Sequence, residues 1–250
     1  MDIHMNMIGL RAMLIYSIKK LLTNRRWIIV LLLAALVGVV MGYSASLNTD
    51  PLNQGSNLLN LLVLSFVLPI VAMIFGASMI RNEIDDRSIT QVITSPVDRR
   101  ISYLGYYLSL LIVLAISLIV VASVGWAGYF LVSGVSGESI GLLIGYLAVI
   151  LLGAIVYSSF FLFMGVILKQ PIYLGLIYAF IWEGFIGTFP GAIGSVTIMH
   201  QLRVIASGQI HYGSITEISG DAGASFIALF VLTAVLFLLG AYAFKEKQVP

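Results

Sequence analysis

Six runs of mainly apolar residues decide what this chain can fold into: Trp27 to Leu47, Asn57 to Ile80, Ser102 to Ser133, Ser139 to Leu168, Pro171 to Pro190 and Gly223 to Phe244. Each has about 20 residues or more, the length an α-helix needs to cross about 30 Å of hydrocarbon. In that medium every backbone N–H and C=O must be satisfied within the segment, which a helix does. Composition agrees, because the 250 residues are 60% hydrophobic and only 10% charged, against about 25% charged in a soluble domain. The expected fold is an all-α membrane protein, a single domain over residues 1–250 with six transmembrane helices. So little charge excludes a soluble dehydrogenase and a nucleic-acid binder. The absence of cysteine excludes a disulfide scaffold, a zinc–thiolate site and a thiol nucleophile.

The basic residues orient the spans. Of the 13 Lys and Arg residues, only Arg203 falls on one side, and the other twelve precede span one, lie in the loops after spans two and four, or follow span six. By the positive-inside rule both termini are cytoplasmic. A cleaved leader is not expected, since the first apolar run is a full span preceded by five basic residues, whereas a leader's apolar core is about 7–15 residues. The stretch 4–24 has helical periodicity, with Met7, Ile8, Leu10, Leu14, Ile15, Ile18, Leu21 and Leu22 on one arc and Asn6, Ser17, Lys19, Lys20, Thr23 and Asn24 opposite. This predicts an amphipathic interfacial helix, with Lys20, Arg25 and Arg26 near the lipid phosphates, that either anchors the chain or bears on a cytoplasmic partner.

Several smaller features add expectations. Spans three and four are joined only by residues 134–138, so they form a tight hairpin, and Gly137, Gly141 and Gly145 repeat at every fourth position as in closely packed membrane helices. Pro69 removes a helical donor inside span two and predicts a kink. Glu183, beside Trp182, lies in the outer half of span five, where an ionised acid is costly by at least about 2.5–3.5 kcal/mol; Glu183 and Trp182 are candidates for a gate or a substrate contact, with a packing role as the alternative. Residues 191–222 read as an outer lid containing a helix capped by Ser195, with Val196, Met199, Leu202 and Ile205 on one side. His200 and His211 are 11 positions apart, which fits no compact ligand set, and the methionines near the start are explained by the apolar face of a helix. No metal site is expected.

The charged loop at residues 81–100 has an ordered pattern: Glu83, Asp85, Asp86 and Arg87, then Ile89, Val92 and Ile93 at helical spacing, then Thr94-Ser95-Pro96, then Arg99-Arg100. A short helix with one apolar edge and charged flanks suits docking in a partner's groove, and Pro96 would end it. From Arg81 to Gly105 the order resembles the loop of type 2 ABC export permeases, although Ile89 stands where a Gly is usual and Tyr106 where a basic residue is usual. Tyr178-Ala179-Phe180-Ile181-Trp182-Glu183-Gly184, followed by Phe189-Pro190-Gly191, is similar to the Trp-Glu-Gly and Pro-Gly signature of span five in that family. The resemblance implies a permease dimer working with two copies of an ABC ATP-binding subunit, which would hold the ATP and magnesium, in the cytoplasmic membrane of a prokaryote. It assigns Glu83, Asp85, Asp86, Arg87, Ile89 and Thr90 to a coupling helix between spans two and three, and Lys169 and Gln170 to a second ATPase contact.

The chain itself has no phosphate-binding loop, because none of its five lysines follows a glycine, so it should not hydrolyse ATP. No cofactor is expected in this chain. The other class of function consistent with the residues is an ion-coupled secondary transporter or a membrane assembly subunit without ATP coupling. Charged, broken midplane helices in both halves would favour that alternative. Here only Glu183 is intramembrane and the largest charge cluster is in the loop.

Overall fold

The computed structural model describes residues 3–23, 25–47, 50–85, 99–188 and 194–246. Among them about nine-tenths are helical and none forms a strand. The helices are α1 (Ile3–Thr23), α2 (Trp27–Ala45), α3 (Pro51–Leu58, Leu59–Val67 and Leu68–Asp85), α4 (Arg99–Ser133), α5 (Gly137–Ile167), α6 (Pro171–Ile177 and Tyr178–Phe185), α7 (Ile198–Ser207) and α8 (Ala222–Glu246). Five of these, α2, α3, α4, α5 and α8, are long and apolar enough to cross a membrane, and α6 is a shorter apolar helix. The fifth expected span is the shorter one among the described residues, Pro171–Phe185 followed by a 3₁₀ turn at Ile186–Thr188.

The core is built around α3, whose Leu59, Val63, Leu64, Val67, Leu68, Val71, Ala72, Phe75, Ala77 and Ile80 are buried on both sides of the helix. A helix apolar all round is the one the others pack against. Asp50 caps its start, accepting from Asn53 N, and Pro51 occupies the first turn, where its missing N–H costs nothing. The expected disruption at Pro69 takes a particular form. The helix is π-wound over Leu59–Val67 and returns to α geometry at Leu68, so the wide turns lie directly ahead of the proline and the chain continues through it. Ser65 Oγ donates to Asn60 O, five residues back, at 2.7 Å. The α6 helix is also π-wound, over Tyr178–Phe185.

Close helix crossings rest on glycines that periodicity alone did not single out. Gly38 and Gly42, one turn apart on α2, meet Gly128 on α4: a Cβ at Gly128 would lie 2.5 Å from Gly38 O, and one at Gly42 would lie 3.1 Å from Gly128 O. Two backbones in direct contact are what a small-x-x-x-small pair permits. The Gly137, Gly141 and Gly145 repeat behaves differently from expectation. A Cβ at Gly137 or Gly141 would meet nothing within 4 Å, and only Gly145 is crowded, by Ile210 at 3.0 Å. The hairpin is held instead by Gly134 at φ +107°, by a Ser136–Ser139 capping box and by Trp126 Nε1 donating to Ser139 O at 2.7 Å. We expect Gly128→Ala to destabilise the fold by about 1–3 kcal/mol through overpacking, while Gly141→Ala is neutral or slightly stabilising through helix propensity. Thermal melting in detergent checks both, and equal melting temperatures for the two variants would refute the assignment of the tight crossing.

The α1 helix packs against the bundle rather than only lying on a surface. A Cβ at Gly105 of α4 would lie 3.0 Å from Met13 Cγ and 3.7 Å from Leu10 Cδ1, and Ser17 and Leu21 are buried one and two turns further on. Arg11 and Lys19 are exposed, as are Ile15 and Tyr16. The buried stripe thus runs through Leu10, Met13, Ser17 and Leu21. It includes Ser17, which the periodicity placed on the polar side, because α4 and α3 supply the opposing surface.

Candidate functional site

Two buried polar clusters lie along α3, one at Glu83 near its end and one at Ser65 near its middle, eighteen residues apart in the helix and so separated by about 27 Å at 1.5 Å per residue. The first is at the end where α3 runs into residues 86–98. Glu83 is 2% exposed, and its Oε1 accepts from Lys20 Nζ of α1 at 2.8 Å. Arg26, just before α2, donates from Nη1 to Ser78 Oγ and to Ile74 O, the latter at 3.3 Å. With the Asn82 amide oriented to satisfy its neighbours, its oxygen accepts from Arg26 Nη2 at 2.8 Å and its nitrogen donates to Ser78 O at 3.1 Å. These groups, with Ser17, Leu21, Met79 and Tyr106, line a cavity of about 30 Å³. Burial lowers the Arg26 pKa from its ordinary value.

This arrangement corrects two expectations. Glu83 does not face solvent on a loop; it belongs to α3 and is paired with α1, since a buried carboxylate needs a counter-charge. Lys20 and Arg26 turn inward to α3 instead of outward to lipid phosphates, and Arg25 is the exposed one of that group. Asp85 ends α3, while Asp86, Arg87, Ile89 and Thr90 lie outside the described residues. Lys169 and Gln170 are exposed in the turn between α5 and α6. They share the Glu83 end of the bundle, as the nearby Gly165 shows by packing against the carbonyl of Ala77.

The second cluster gathers around Glu183, which is 5% exposed. Its Oε1 accepts from the Tyr178 hydroxyl at 2.5 Å and from Ile198 N at 3.3 Å, and its Oε2 accepts from Met199 N at 3.0 Å. The carboxylate therefore takes two of the unpaired N–H groups at the start of α7, where the helix dipole also favours negative charge. Tyr157 lies beside the same carboxylate, though its buried hydroxyl makes no hydrogen bond of ordinary geometry. One turn into α7, Arg203 donates from Nη2 to Ser65 Oγ at 2.7 Å, on the π-wound part of α3. Burial lowers the Arg203 pKa from its ordinary value, and Glu183, Tyr157 and Tyr146 oppose that shift. Trp182 is 40% exposed and does not join this cluster.

The α7 helix is where the lid was expected, with a different cap. Thr197 accepts from His200 N at 3.2 Å and takes the position given to Ser195. Ser195 instead sits in a 3₁₀ turn at Gly194–Val196, and its carbonyl accepts from Gln201 Nε2 at 2.5 Å. Val196 is 69% exposed, so the buried face begins at Ile198 and Met199 and continues through Leu202 and Ile205. Further along, Gly213 N donates to Asn53 Oδ1 at 2.8 Å, Ser214 N to Asn57 Oδ1 at 2.6 Å, and Ser56 Oγ to Tyr212 O at 2.6 Å. Gly213 has φ +78° with Asn57 Oδ1 2.6 Å from where a Cβ would sit, so both its backbone and its neighbour require glycine. The segment is strapped to the start of α3.

Four spanning helices around a buried α3, with a capped helix packed against it, match a known pattern of sequence. A family model described as ABC-2 family transporter protein matches residues 13–249. The chain belongs to the ABC-2 transporter family. No curated protein sequence matches it. As an ABC-2 membrane component it is a multi-pass membrane protein, and membership implies association with an ABC ATPase. Sequence reasoning reached Glu183 in this family member through its cost in hydrocarbon, but it missed Lys20, Arg203, Tyr178 and Ser65 as partners. Arg203 carried a signal: it is the one Lys or Arg between Lys169 and Lys245 in the sequence, and the nearby acid Glu183 needed a counter-charge.

Proposed function

We propose that this protein is the transmembrane permease subunit of an ATP-driven exporter, working as a dimer with two ATP-binding subunits and alternating between inward- and outward-facing states. On this reading α6 completes a set of six spans, both termini are cytoplasmic, the Glu83 end is the cytoplasmic end and the 194–221 segment is outside. The family match supports it, and so does the concentration of basic groups at one end: Lys20, Arg26, Arg81, Arg99, Lys169 and Lys245 all lie at or near the Glu83 end of their helices.

The observation that carries the reading is the half-buried Lys20–Glu83 pair, placed just before the charged segment 86–98. An ATPase bearing on that segment would move the end of α3, and the ion pair would carry the movement into α1 and, through the Met13–Gly105 contact, into α4. Residues 85–90 then serve as the docking element, with Lys169 and Gln170 as the smaller contact, and Glu83 is a transmission residue and not a contact residue. ATP and magnesium belong to the partner.

Affinity purification in mild detergent, with mass spectrometry and an ATP hydrolysis assay, tests the proposal. We expect a separate ATPase at one copy per permease. We expect Asp85→Lys/Asp86→Lys to remove at least about 90% of permease-stimulated hydrolysis, on the scale of losing two charge-complementary contacts at a docking surface, with the melting temperature unchanged. Stimulation that survives this reversal would overturn the coupling assignment. A stable complex without an ATPase would move the weight to ion-coupled transport or an assembly role.

A further inference from the structure

The α7 helix is attached to the bundle through two charged side chains, and both attachments end on π-wound helix. Arg203 reaches Ser65 in the π segment of α3, and Glu183, in the π segment of α6, receives Ile198 N and Met199 N. The two π segments also touch each other, Phe66 against Phe180 edge-to-face with ring centroids 6.2 Å apart. A π turn has poorer hydrogen-bond geometry than the α turns around it, and such turns cluster where helices adjust. Both anchor points are thus on the parts of α3 and α6 that yield most readily. Two buried polar atoms beside them, Asn60 Oδ1 and Arg203 Nε, have no hydrogen-bond partner in this arrangement.

We infer that Arg203 and Glu183 are the paired positioning residues of the outer gate: Glu183 holds the start of α7 and Arg203 its middle, each against a π turn, so that displacement of α3 or α6 is delivered to the lid through them. Thr197 caps α7 by itself, so α7 survives as a helix when either attachment is lost. What changes is its seat on the bundle. The direction "outer" rests on the permease reading above; the attachment does not.

Because the chain has no cysteine, a single reporter is clean. Ala206 is fully buried on α7, and Ala206→Cys adds one atom. The full-length protein carrying this reporter is placed in lipid nanodiscs and labelled with a membrane-impermeant maleimide. Labelling is expected to be slow in the parent background. Loss of a hydrogen bond made by a charged group corresponds to about tenfold or more in the open population, so Arg203→Gln, Ser65→Ala and Glu183→Gln should each raise the rate by about that factor. Ser65→Ala combined with Arg203→Gln should be no faster than Arg203→Gln alone, since both remove one bond. Adding Glu183→Gln should multiply the rate again, and Arg203→Lys should bring labelling back toward the parent value. Unchanged labelling in Ser65→Ala and Glu183→Gln proteins that melt as the parent does would overturn the inference and leave both residues as static packing. Acceleration by Arg203→Gln but not by Ser65→Ala would overturn the attachment to α3. Should Arg203→Gln fail to fold, Ser65→Ala, which removes only a hydroxyl, decides the same question. The assay uses neither ATP nor an ATPase, so its failure leaves the permease reading intact, and failure of the permease reading leaves the labelling result standing.

Discussion

Reversing the charge of Lys20 is expected to detach α1 and to lower the abundance of folded protein in the membrane, and swapping the pair is expected to restore it. Lys20→Glu sets a second carboxylate toward Glu83, whose Oε1 now accepts from Lys20 Nζ at 2.8 Å. Glu83 is 3% exposed in its side chain and cannot turn to solvent, while Lys20 is 38% exposed and retains some hydration. Breaking a fully buried pair costs about 3–5 kcal/mol; with one partner partly in water we expect about 2–3 kcal/mol for Lys20→Met, and more for the reversal because repulsion is added. Either figure is a large part of the 5–15 kcal/mol that holds a typical domain together. The double variant Lys20→Glu/Glu83→Lys places opposite charges in the same space and should recover at least half of the lost abundance. Fluorescence-detected size-exclusion profiles and melting curves in detergent report both outcomes. Lys20→Glu protein that is abundant and melts normally would show that the pair does not hold α1, and the route from the 86–98 segment into α1 would fall with it.

The helices were legible in the sequence because hydrocarbon permits so few alternatives: a run such as Ser102 to Ser133 has to be helix, and it is, within three residues at either end. Glu183 was legible for the same reason, since an acid in that setting must be explained. What eluded the sequence is contact. Glu83 belongs by its neighbours to a string of charges, Glu83, Asp85 and Asp86, and nothing in that string says that the first of them turns inward while α3 is still helical. Lys20 reads as one of several basic residues suited to lipid phosphates until the position of Glu83 is known. Register is the other blind spot. The π turns at Leu59–Val67 and Tyr178–Phe185 leave no mark in hydrophobic periodicity, yet they determine that Ser65 and Glu183 point at α7 while Trp182 points away. The glycines teach the same lesson: Gly137, Gly141 and Gly145 have the spacing of a packing face and mostly lack a neighbour, whereas Gly38 and Gly128 make the crossing.

A lysine in place of Glu183 should be the most damaging single change in the chain. The carboxylate accepts three hydrogen bonds, from Tyr178, Ile198 N and Met199 N, in a site 5% exposed. Bonds to a charged acceptor are worth about 1.5–3 kcal/mol each. An ammonium accepts none, so all three donors are stranded. It also sets a positive charge against the positive end of the α7 dipole and next to Arg203, where the native carboxylate offsets both. The loss should exceed about 5 kcal/mol, which is comparable with the whole stability of a modest domain, and Glu183→Lys protein should fail to accumulate. Glu183→Gln keeps the shape and one acceptor oxygen, so it should accumulate near the parent level and melt a few degrees lower. That contrast separates a carboxylate that seats α7 from one that merely occupies space. A protein that tolerates lysine here with unchanged abundance and melting would mean that α7 is held by Thr197 and its apolar face alone, and that the acid serves something other than the lid.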